Sequence, residues 1–263
     1  MRAMLSRAAL ILTALAVLAG GTAIAADMPA TRPAATPMAG ATRTPVVVEL
    51  FTSQGCNICP PADEYLGELA QRPDVLALAF HVDYWNYIGW TDPFAKPWAT
   101  SRQRAYQDSF RLRFVYTPQM VVNGVAQGAG GDRPAIDAMI RDAATNKPPH
   151  PTLTLVWRED GALAIDVGSG TSPAGNPATL WLVGYDRQHV TPVPRGENEG
   201  RTLTDVHPVR SYRKLGAWAG WSAEFIVPAD EAKALGDGGI AVLLQRDGAG
   251  PILTASAIGQ RGL

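Results

Sequence analysis

The sequence predicts a two-part fold, with an α/β part over residues 45–147 and a small all-β, sandwich-like part over residues 148–263. In the first part, apolar runs rich in β-branched residues alternate with helical patterns, which is typical of helices packed on a sheet. A proline-rich linker covers residues 147–151. Beyond it, about six short alternating runs with almost no helical period indicate a β-sandwich.

Local patterns predict the elements of the first part. Strands are expected where β-branched and other apolar residues run together, and helices where apolar residues recur every three to four positions. Asn123-Gly124 is a hairpin turn signal, and Asp132 can cap the helix that follows it. The predicted strands cover residues 46–51, 75–82, 115–122 and 125–128, and the predicted helices cover residues 62–71, 100–110 and 135–144.

The second part is predicted from period-two alternation and from turns such as Glu159-Asp160-Gly161. A weak helical pattern covers residues 230–235. The predicted strands cover residues 152–157, 162–167, 178–185, 222–227, 240–245 and 252–258.

The N-terminal region predicts export. Residues 1–25 have an arginine-containing start, an apolar stretch over residues 8–19 and a small-x-small pattern at residues 23–25, which together indicate a cleavable secretory signal peptide. Residues 26–44 contain prolines without an apolar period and predict a disordered tether. We expect a periplasmic or secreted protein with no membrane span in the mature chain, in a compartment where disulfides persist.

The composition narrows the classes of function. With 46% hydrophobic and 18% charged residues, the chain has a globular composition. The net charge of −1 gives no indication of a nucleic-acid partner. The two cysteines are too few for a disulfide-stapled scaffold or a four-thiolate zinc site. A redox pair, one structural disulfide or a two-thiolate metal site remain.

The cysteines, Cys56 and Cys59, form a CxxC between the first predicted strand and the first predicted helix. This strand–turn–helix setting is typical of a redox CxxC. The positive end of a helix stabilises a thiolate, which favours Cys56 as the attacking group, and Gly55 is expected to leave it uncovered. Cys59, one turn on, is placed to resolve a mixed disulfide.

Two features of the predicted strands support this site. Glu49 lies inside the apolar first strand, where it can take a proton from Cys59; the alternative is an outward-facing strand glutamate. Thr117-Pro118 interrupts the third extended segment. Because proline inside a strand is confined to edges, bulges or special turns, Pro118 is either a cis proline opposite the CxxC or a trans edge proline.

An aromatic-rich loop over residues 83–98 follows the second predicted strand. Tyr84 and Trp85 lie near its start and are candidates for contacting a substrate polypeptide. The alternative is a loop that packs its own small core. With Thr117 and Pro118, these aromatic residues form the predicted substrate-binding set, in which backbone around Thr117 holds the substrate as an extra strand.

Two alternatives to a redox pair stay open. Two soft thiolates suit Cu(I), so Cys56 and Cys59 are candidate copper ligands. His81, at the end of the second predicted strand, is the candidate third ligand because strand ends converge on one edge of an open sheet. Otherwise His81 is a packing histidine. The second alternative is a binding module whose disulfide only stiffens the turn. The redox hypothesis requires no cofactor.

Four stretches carry a family resemblance. They are residues 47–63 (VVELFTSQGCNICPPAD), 81–94 (HVDYWNYIGWTDPF), 115–124 (VYTPQMVVNG) and 195–210 (RGENEGRTLTDVHPVR). They resemble the domain of unknown function 1223 family, which consists of secreted bacterial proteins with a thioredoxin-like fold. The resemblance extends over about residues 45–259.

The resemblance implies a thioredoxin-like first part in which Pro118 is cis and faces the CxxC. The sequence departs from the thioredoxin pattern because no tryptophan precedes Cys56, Asn57-Ile58 replaces Gly-Pro, and two prolines follow Cys59. The CxxC and the resemblance together predict an exported thiol–disulfide oxidoreductase that acts on protein thiols or disulfides.

Overall fold

The computed structural model describes residues 44–172 and 177–260, which form a mixed α/β protein made mostly of strands. The described residues contain four helices and four sheets, and they belong to one compact unit. The elements of the first part are β1 (Val46–Thr52), α1 (Pro60–Leu69), β2 (Val75–His81), α2 (Pro97–Ser109), β3 (Gln119–Val122), β4 (Ala126–Ala129) and α3 (Arg133–Thr145).

The first sheet has the strand order β2-β1-β3-β4. Strands β1 and β2 are parallel and are connected through α1, because parallel neighbours require a crossover connection. Strands β3 and β4 form the predicted hairpin. Its turn residues Asn123 and Gly124 have φ values of 48° and 65°, which an Asn-Gly pair adopts readily.

Prolines account for two differences from the predicted element boundaries. Strand β3 begins at Gln119, directly after Pro118, because proline has no N–H to donate to a strand ladder. The Thr117–Pro118 peptide bond is cis, as the resemblance implies. Helix α2 begins at Pro97 and not at residue 100, because proline is well accommodated in a first helical turn.

Strand β1 is buried on both faces, as its continuous apolar sequence predicts. Leu50 packs in one core with α1 and α3, whereas Phe51 packs in another core with α2. Because side chains alternate along a strand, Thr52 lies on the α1 face and Glu49 lies on the α2 face. The two faces of β1 therefore carry different polar groups.

The second part contributes three sheets, with strand orders β10-β7-β12-β13, β11-β6-β5 and β8-β9. Strands β8 to β10 are absent from the predicted set, because their polar, partly exposed residues give no clean apolar alternation. The elements are β5 (Leu153–Trp157), β6 (Leu163–Val167), β7 (Ala178–Tyr185), β8 (Gln188–Pro192), β9 (Thr202–Val206), β10 (Val209–Trp218), β11 (Ala223–Val227), α4 (Ala229–Lys233), β12 (Gly239–Arg246) and β13 (Ile252–Gly259).

The two parts share a hydrophobic core. One face of the sheet β10-β7-β12-β13 packs against the first sheet, where Val183 of β7 joins Phe51 and Phe80 in one buried cluster. Its other face packs on the sheet β11-β6-β5 around Leu182 and Ile165. Burial of apolar surface on both faces stabilises the central sheet and holds it against the α/β part.

The predicted signal peptide, residues 1–25, and nearly all of the predicted tether, residues 26–44, lie outside the described residues. Export therefore stays a prediction. Over the ranges that the structure describes, no helix is both long enough and apolar enough to cross a membrane.

Candidate functional site

The CxxC lies in the turn between β1 and α1, and Cys56 and Cys59 are joined by a disulfide. The turn is closed by hydrogen bonds from the amide of Cys56 to the Ser53 oxygen (3.0 Å) and from the amide of Cys59 to the Cys56 oxygen (3.2 Å). Helix α1 begins at Pro60, so Cys59 and not Cys56 is its N-cap residue. Pro60 and Pro61 fit there because first-turn amides have no intrahelical acceptor.

Both cysteines are fully buried, each with 0% of its surface exposed. The expectation that Gly55 leaves Cys56 uncovered is therefore wrong. The exposed residues of the turn are Asn57 and Ile58, between the cysteines, and Ile58 is 65% exposed. A substrate cannot reach either sulfur in this arrangement unless a neighbouring segment moves.

The loop between β8 and β9, residues 193–201, packs on this turn, and we name it the covering loop. Its Asn198 is 1% exposed and donates through Nδ2 to the backbone oxygens of Gln54 (2.9 Å) and Cys56 (3.0 Å). Arg201 donates to Oδ1 of Asn198 (2.9 Å) and so fixes the orientation of the amide. The second part of the chain thus covers the disulfide of the first part.

A cleft of about 130 Å³ opens beside the covering loop, between α1 and β9. From α1 it is lined by Pro60, Asp63 and Glu64, and from the other side by residues 201–204. Asp63 is half-buried, and its position in the cleft wall gives it contact with solvent.

A buried polar cluster, which we define as Gln54, Asp63, His81, Asp92 and Asp205, lies where β1 and β2 end. Nδ1 of His81 bonds Oδ2 of Asp92 (2.7 Å), and Nε2 of His81 lies 3.7 Å from Oδ1 of Asp205. The amide of Gln54 donates to Asp92 (2.8 Å), and its side-chain Nε2 donates to Asp205 (2.7 Å). Because Gln54 lies two residues before Cys56, these bonds tie the cluster to the CxxC turn.

The protonation states in this cluster depend on burial and on neighbouring charges. Burial alone lowers the pKa of His81, but Asp92 and Asp205 outweigh it and raise the pKa to about 9. Loss of water raises the pKa of Asp63 to about 8, against the smaller opposing effects of His81 and Thr52. Burial also raises the pKa of Asp205. Near neutral pH, a histidine cation therefore lies beside a predominantly protonated Asp63.

Two polar atoms at the ends of β1 and β2 have no hydrogen-bond partner among the described residues, Oγ1 of Thr52 and Nε2 of His81. Thr52 and His81 are directly paired in the parallel ladder. Ala79, two residues before His81, packs in the same core as α1, so His81 and Thr52 both lie on the α1 face. Buried polar atoms are nearly always satisfied, which makes this edge of the sheet unusual.

The predicted substrate-binding residues lie at different distances from the turn. Trp85 donates through Nε1 to Oγ1 of Thr117 (2.8 Å), and its Cβ lies 3.1 Å from the position that a Cβ on Gly55 would occupy. Pro118 and the first turn of α1 both contact Gly130. Tyr84 instead donates to Gln103 of α2 (3.1 Å). Trp85 thus lies beside the CxxC turn and is bonded to Thr117, Pro118 lies near the first turn of α1, and Tyr84 points towards α2.

Glu49 lies in a different environment from the one predicted. Its two carboxylate oxygens accept from Nε and Nη2 of Arg102 (2.6 and 3.0 Å), and Tyr106 also donates to it. Arg102 further donates to Tyr212 (2.5 Å) and Gln245 (3.1 Å) of the second part. We name these five residues the ion-pair cluster. It lies on the α2 face of β1, opposite to the face on which α1 packs.

The three candidate copper ligands are bonded to other groups in this structure. Cys56 and Cys59 are joined to each other, and Nδ1 of His81 is bonded to Asp92. Over the part of the chain that the structure describes, no three side chains of His, Cys, Asp or Glu are arranged to hold a metal ion.

Sequence reasoning missed Asn198, Asp205 and Asp63. Asn198 and Asp205 lie about 140 residues or more from the CxxC, and no local pattern connects them with it. Asp63 could have been found, because it follows Cys59 by four residues and so lies on the same side of a helix.

A family described as a protein of unknown function (DUF1223) matches residues 47–245. The chain belongs to this family. The matched range includes the CxxC turn, the covering loop and the residues of the buried polar cluster, and it extends over both parts of the chain. A comparison with curated proteins gives no match.

Two solved structures resemble this member of the family. A crystal structure of a protein from Agrobacterium tumefaciens has 32% sequence identity and a TM-score of 0.72, and the match covers 85% of this chain and 98% of that one. HBP35 of Porphyromonas gingivalis has 16% identity and a TM-score of 0.56, with 84% of this chain and 76% of that chain covered. The second likeness concerns the fold alone.

Proposed function

We propose that this protein is an exported thiol–disulfide oxidoreductase whose first part is thioredoxin-like and whose second part is a β-rich cover. The observation that carries the proposal is the disulfide between Cys56 and Cys59 at the start of α1, with Trp85 beside the turn and bonded to Thr117. A pair of cysteines with this spacing at a strand–helix junction is typical of dithiol exchange.

The proposed reaction passes two electrons between the cysteine pair and a substrate. In the reduced protein, the Cys56 thiolate attacks one sulfur of a substrate disulfide, and the other substrate sulfur leaves as a thiolate. Cys59 then attacks the Cys56 sulfur, forming the Cys56–Cys59 disulfide and releasing the second substrate thiol. The substrate disulfide is reduced and the protein dithiol is oxidised. The reverse sequence oxidises a substrate dithiol.

Access to the sulfurs requires the covering loop to move. Asn198 holds the loop to the turn with two hydrogen bonds, and each such bond contributes about 0.5–1.5 kcal/mol. Opening by local motion at that free-energy cost exposes the turn transiently. We propose that the second part of the chain selects substrates by this opening.

The test uses the single-cysteine variants with glutathione disulfide as substrate. Cys59→Ser is expected to form a stable mixed disulfide through Cys56, which mass spectrometry detects, whereas Cys56→Ser is expected to lose exchange. Wild-type protein treated in the same way is the control, because Cys59 resolves its mixed disulfide. Full exchange activity in Cys56→Ser contradicts the proposal.

A second candidate function rests on the 0% exposure of both cysteines, which is typical of a structural disulfide. In that case the protein is a non-enzymatic binding module and the disulfide stiffens the turn. The reduction potential separates the two candidates. A potential below about −300 mV favours a structural disulfide, and a higher value favours exchange.

Export is part of the proposal and has its own test. The predicted leader over residues 1–25 supports it. N-terminal sequencing of the protein recovered from the periplasmic fraction of a bacterial host is expected to begin near residue 26. Recovery of the full-length chain in the cytoplasm contradicts export.

A further inference from the structure

Asp63 lies one helical turn after Cys59, on the same side of α1. Its amide donates to the carbonyl oxygen of Cys59 (3.1 Å), and residues at this spacing have Cβ atoms about 5–6 Å apart. The hydroxyl of Thr52 faces the Asp63 carboxyl from the end of β1. Asp63 is therefore the member of the buried polar cluster that lies on α1 next to the second cysteine.

Charged groups from several other segments of the chain surround Asp63. His81 at the end of β2 stabilises its carboxylate form, whereas Asp92 and Asp205 disfavour that form. Arg201 lines the same cleft from the covering loop. The net pKa of about 8 is close to the ordinary value of about 8.5 for a cysteine thiol, and proton transfer is efficient between groups of matched pKa.

Glu49 is unsuited to the proton-accepting role that its place in the sequence predicts. Its carboxylate holds the buried Arg102 through both oxygens, and it lies on the face of β1 away from α1. A proton on Glu49 would break that ion pair, which is costly in a buried site. Asp63 instead belongs to α1 itself and lines the cleft beside the covering loop.

We propose that Asp63 is the proton acceptor for Cys59, an inference that rests on the proposed oxidoreductase function. Cys59 attacks the Cys56 sulfur of the mixed disulfide. The bond between Cys56 and Cys59 forms, the bond from Cys56 to the substrate breaks, and the substrate leaves as a thiolate with the electron pair. The proton of Cys59 passes to the Asp63 carboxylate and then to solvent through the cleft. His81, oriented by Asp92, is a positioning residue that stabilises this carboxylate.

The experiment follows the reaction of reduced protein with dithionitrobenzoate, whose thiolate product is coloured. Stopped-flow absorbance is expected to resolve two equal releases of thiolate, the first from attack by Cys56 and the second from resolution by Cys59. In wild type, the rate of the second release is expected to rise with pH through an inflection near pH 8, as Asp63 ionises. Asp63→Asn is expected to slow the second release about 100-fold at pH 7 and to remove this inflection.

Glu64→Gln is the matched control, since Glu64 lines the same cleft on the next helical position and is exposed. It is expected to leave both releases unchanged. A second release that Asp63→Asn leaves unchanged overturns the role of Asp63 and leaves the oxidoreductase proposal standing. Should Asp63→Asn fail to fold, a wild-type second release without an inflection near pH 8 overturns the role equally. Absence of any thiolate release from reduced wild type overturns the oxidoreductase proposal itself.

Discussion

Two buried charged clusters lie on opposite faces of β1, and they differ in how completely their polar atoms are bonded. In the ion-pair cluster, Glu49 accepts through both oxygens and Arg102 donates through all three of its nitrogens. In the buried polar cluster, Nδ1 of His81 is bonded to Asp92, whereas Nε2 of His81 has no hydrogen-bond partner among the described residues. The charged groups of the first cluster are thus fully hydrogen-bonded, whereas the second cluster keeps an unbonded nitrogen on the side of β2 that faces α1.

The difference indicates separate tasks. A fully bonded buried network holds elements in one arrangement, and the ion-pair cluster links β1 and α2 to Tyr212 and Gln245 of the second part. A cluster with raised and lowered pKa values beside a CxxC disulfide is typical of a functional site. We therefore expect substitutions in the first cluster to change stability and substitutions in the second to change chemistry.

The largest effect is expected from breaking the ion-pair cluster. Arg102→Met leaves Glu49 buried without its cation, which is expected to lower the free energy of unfolding by about 3–5 kcal/mol. Urea denaturation at neutral pH measures the loss. Arg133→Met is the matched control, because Arg133 pairs with Glu68 at the surface and such pairs contribute at most about 1 kcal/mol. Similar losses in both variants contradict the structural role of the ion-pair cluster.

The next largest effect is expected from weakening the contact between the covering loop and the CxxC turn. Asn198→Ala removes two hydrogen bonds to the CxxC turn, and dithiothreitol is expected to reduce the disulfide about tenfold faster as a result. Thiol labelling after a quenched reduction measures the rate. Asn146→Ala, which removes an exposed side-chain bond at the end of α3, is the control and is expected to leave the rate unchanged. An unchanged rate in Asn198→Ala means that the loop does not limit access.

The buried polar cluster predicts a pH-dependent stability. The pKa of His81 is about 9 in the folded protein and 6.5 in the unfolded chain, so binding of this proton stabilises the fold. The stabilisation is complete below pH 6.5 and is lost as the pH rises to 9. Asp63, with a pKa raised from 3.8 to about 8, also binds more protons when folded and acts in the same direction below pH 8. Stability is therefore expected to fall by about 3 kcal/mol between pH 6.5 and pH 8, with about equal contributions from the two groups.

Denaturant unfolding at several pH values checks this dependence. Asp63→Asn is expected to flatten the decline by about half, because one of the two groups no longer titrates. Glu64→Gln is expected to keep the wild-type slope. A free energy of unfolding that is constant from pH 6.5 to pH 8 in wild type would falsify the protonation states assigned to the cluster.

Much of the first part can be predicted from sequence because β1 and β2 are apolar on both faces and lie between strong turn signals. Because β1 is buried on both faces, however, the sequence does not reveal which face of the sheet the Glu49 side chain lies on. When both faces of a strand are buried, alternation separates two sets of residues but does not say which set faces α1. The hypothesis that Glu49 serves Cys59 thus depended on a choice that only the packing of α1 and α2 decides.

The site is less predictable than the fold because half of it comes from the second part. Asn198 and Asp205 belong to a hairpin of polar, edge-type strands without an apolar period, and they reach the CxxC only through tertiary packing. His81 was within reach of sequence reasoning, since strand ends converge at one edge of a sheet. Its partners are carboxylates and not the cysteines that a copper site would need.

The smallest expected effect concerns Trp85, which lies between the CxxC turn and Thr117. Trp85→Phe keeps the Cβ beside Gly55 and removes the hydrogen bond to Thr117, so the free energy of unfolding is expected to fall by about 1 kcal/mol. If Thr117 holds a substrate chain, the loss is also expected to raise KM for a protein disulfide about threefold, with kcat unchanged. Trp221→Phe is the control, because Trp221 is 80% exposed. An altered kcat at constant KM would place Trp85 in the chemistry of the cysteine pair and not in substrate binding.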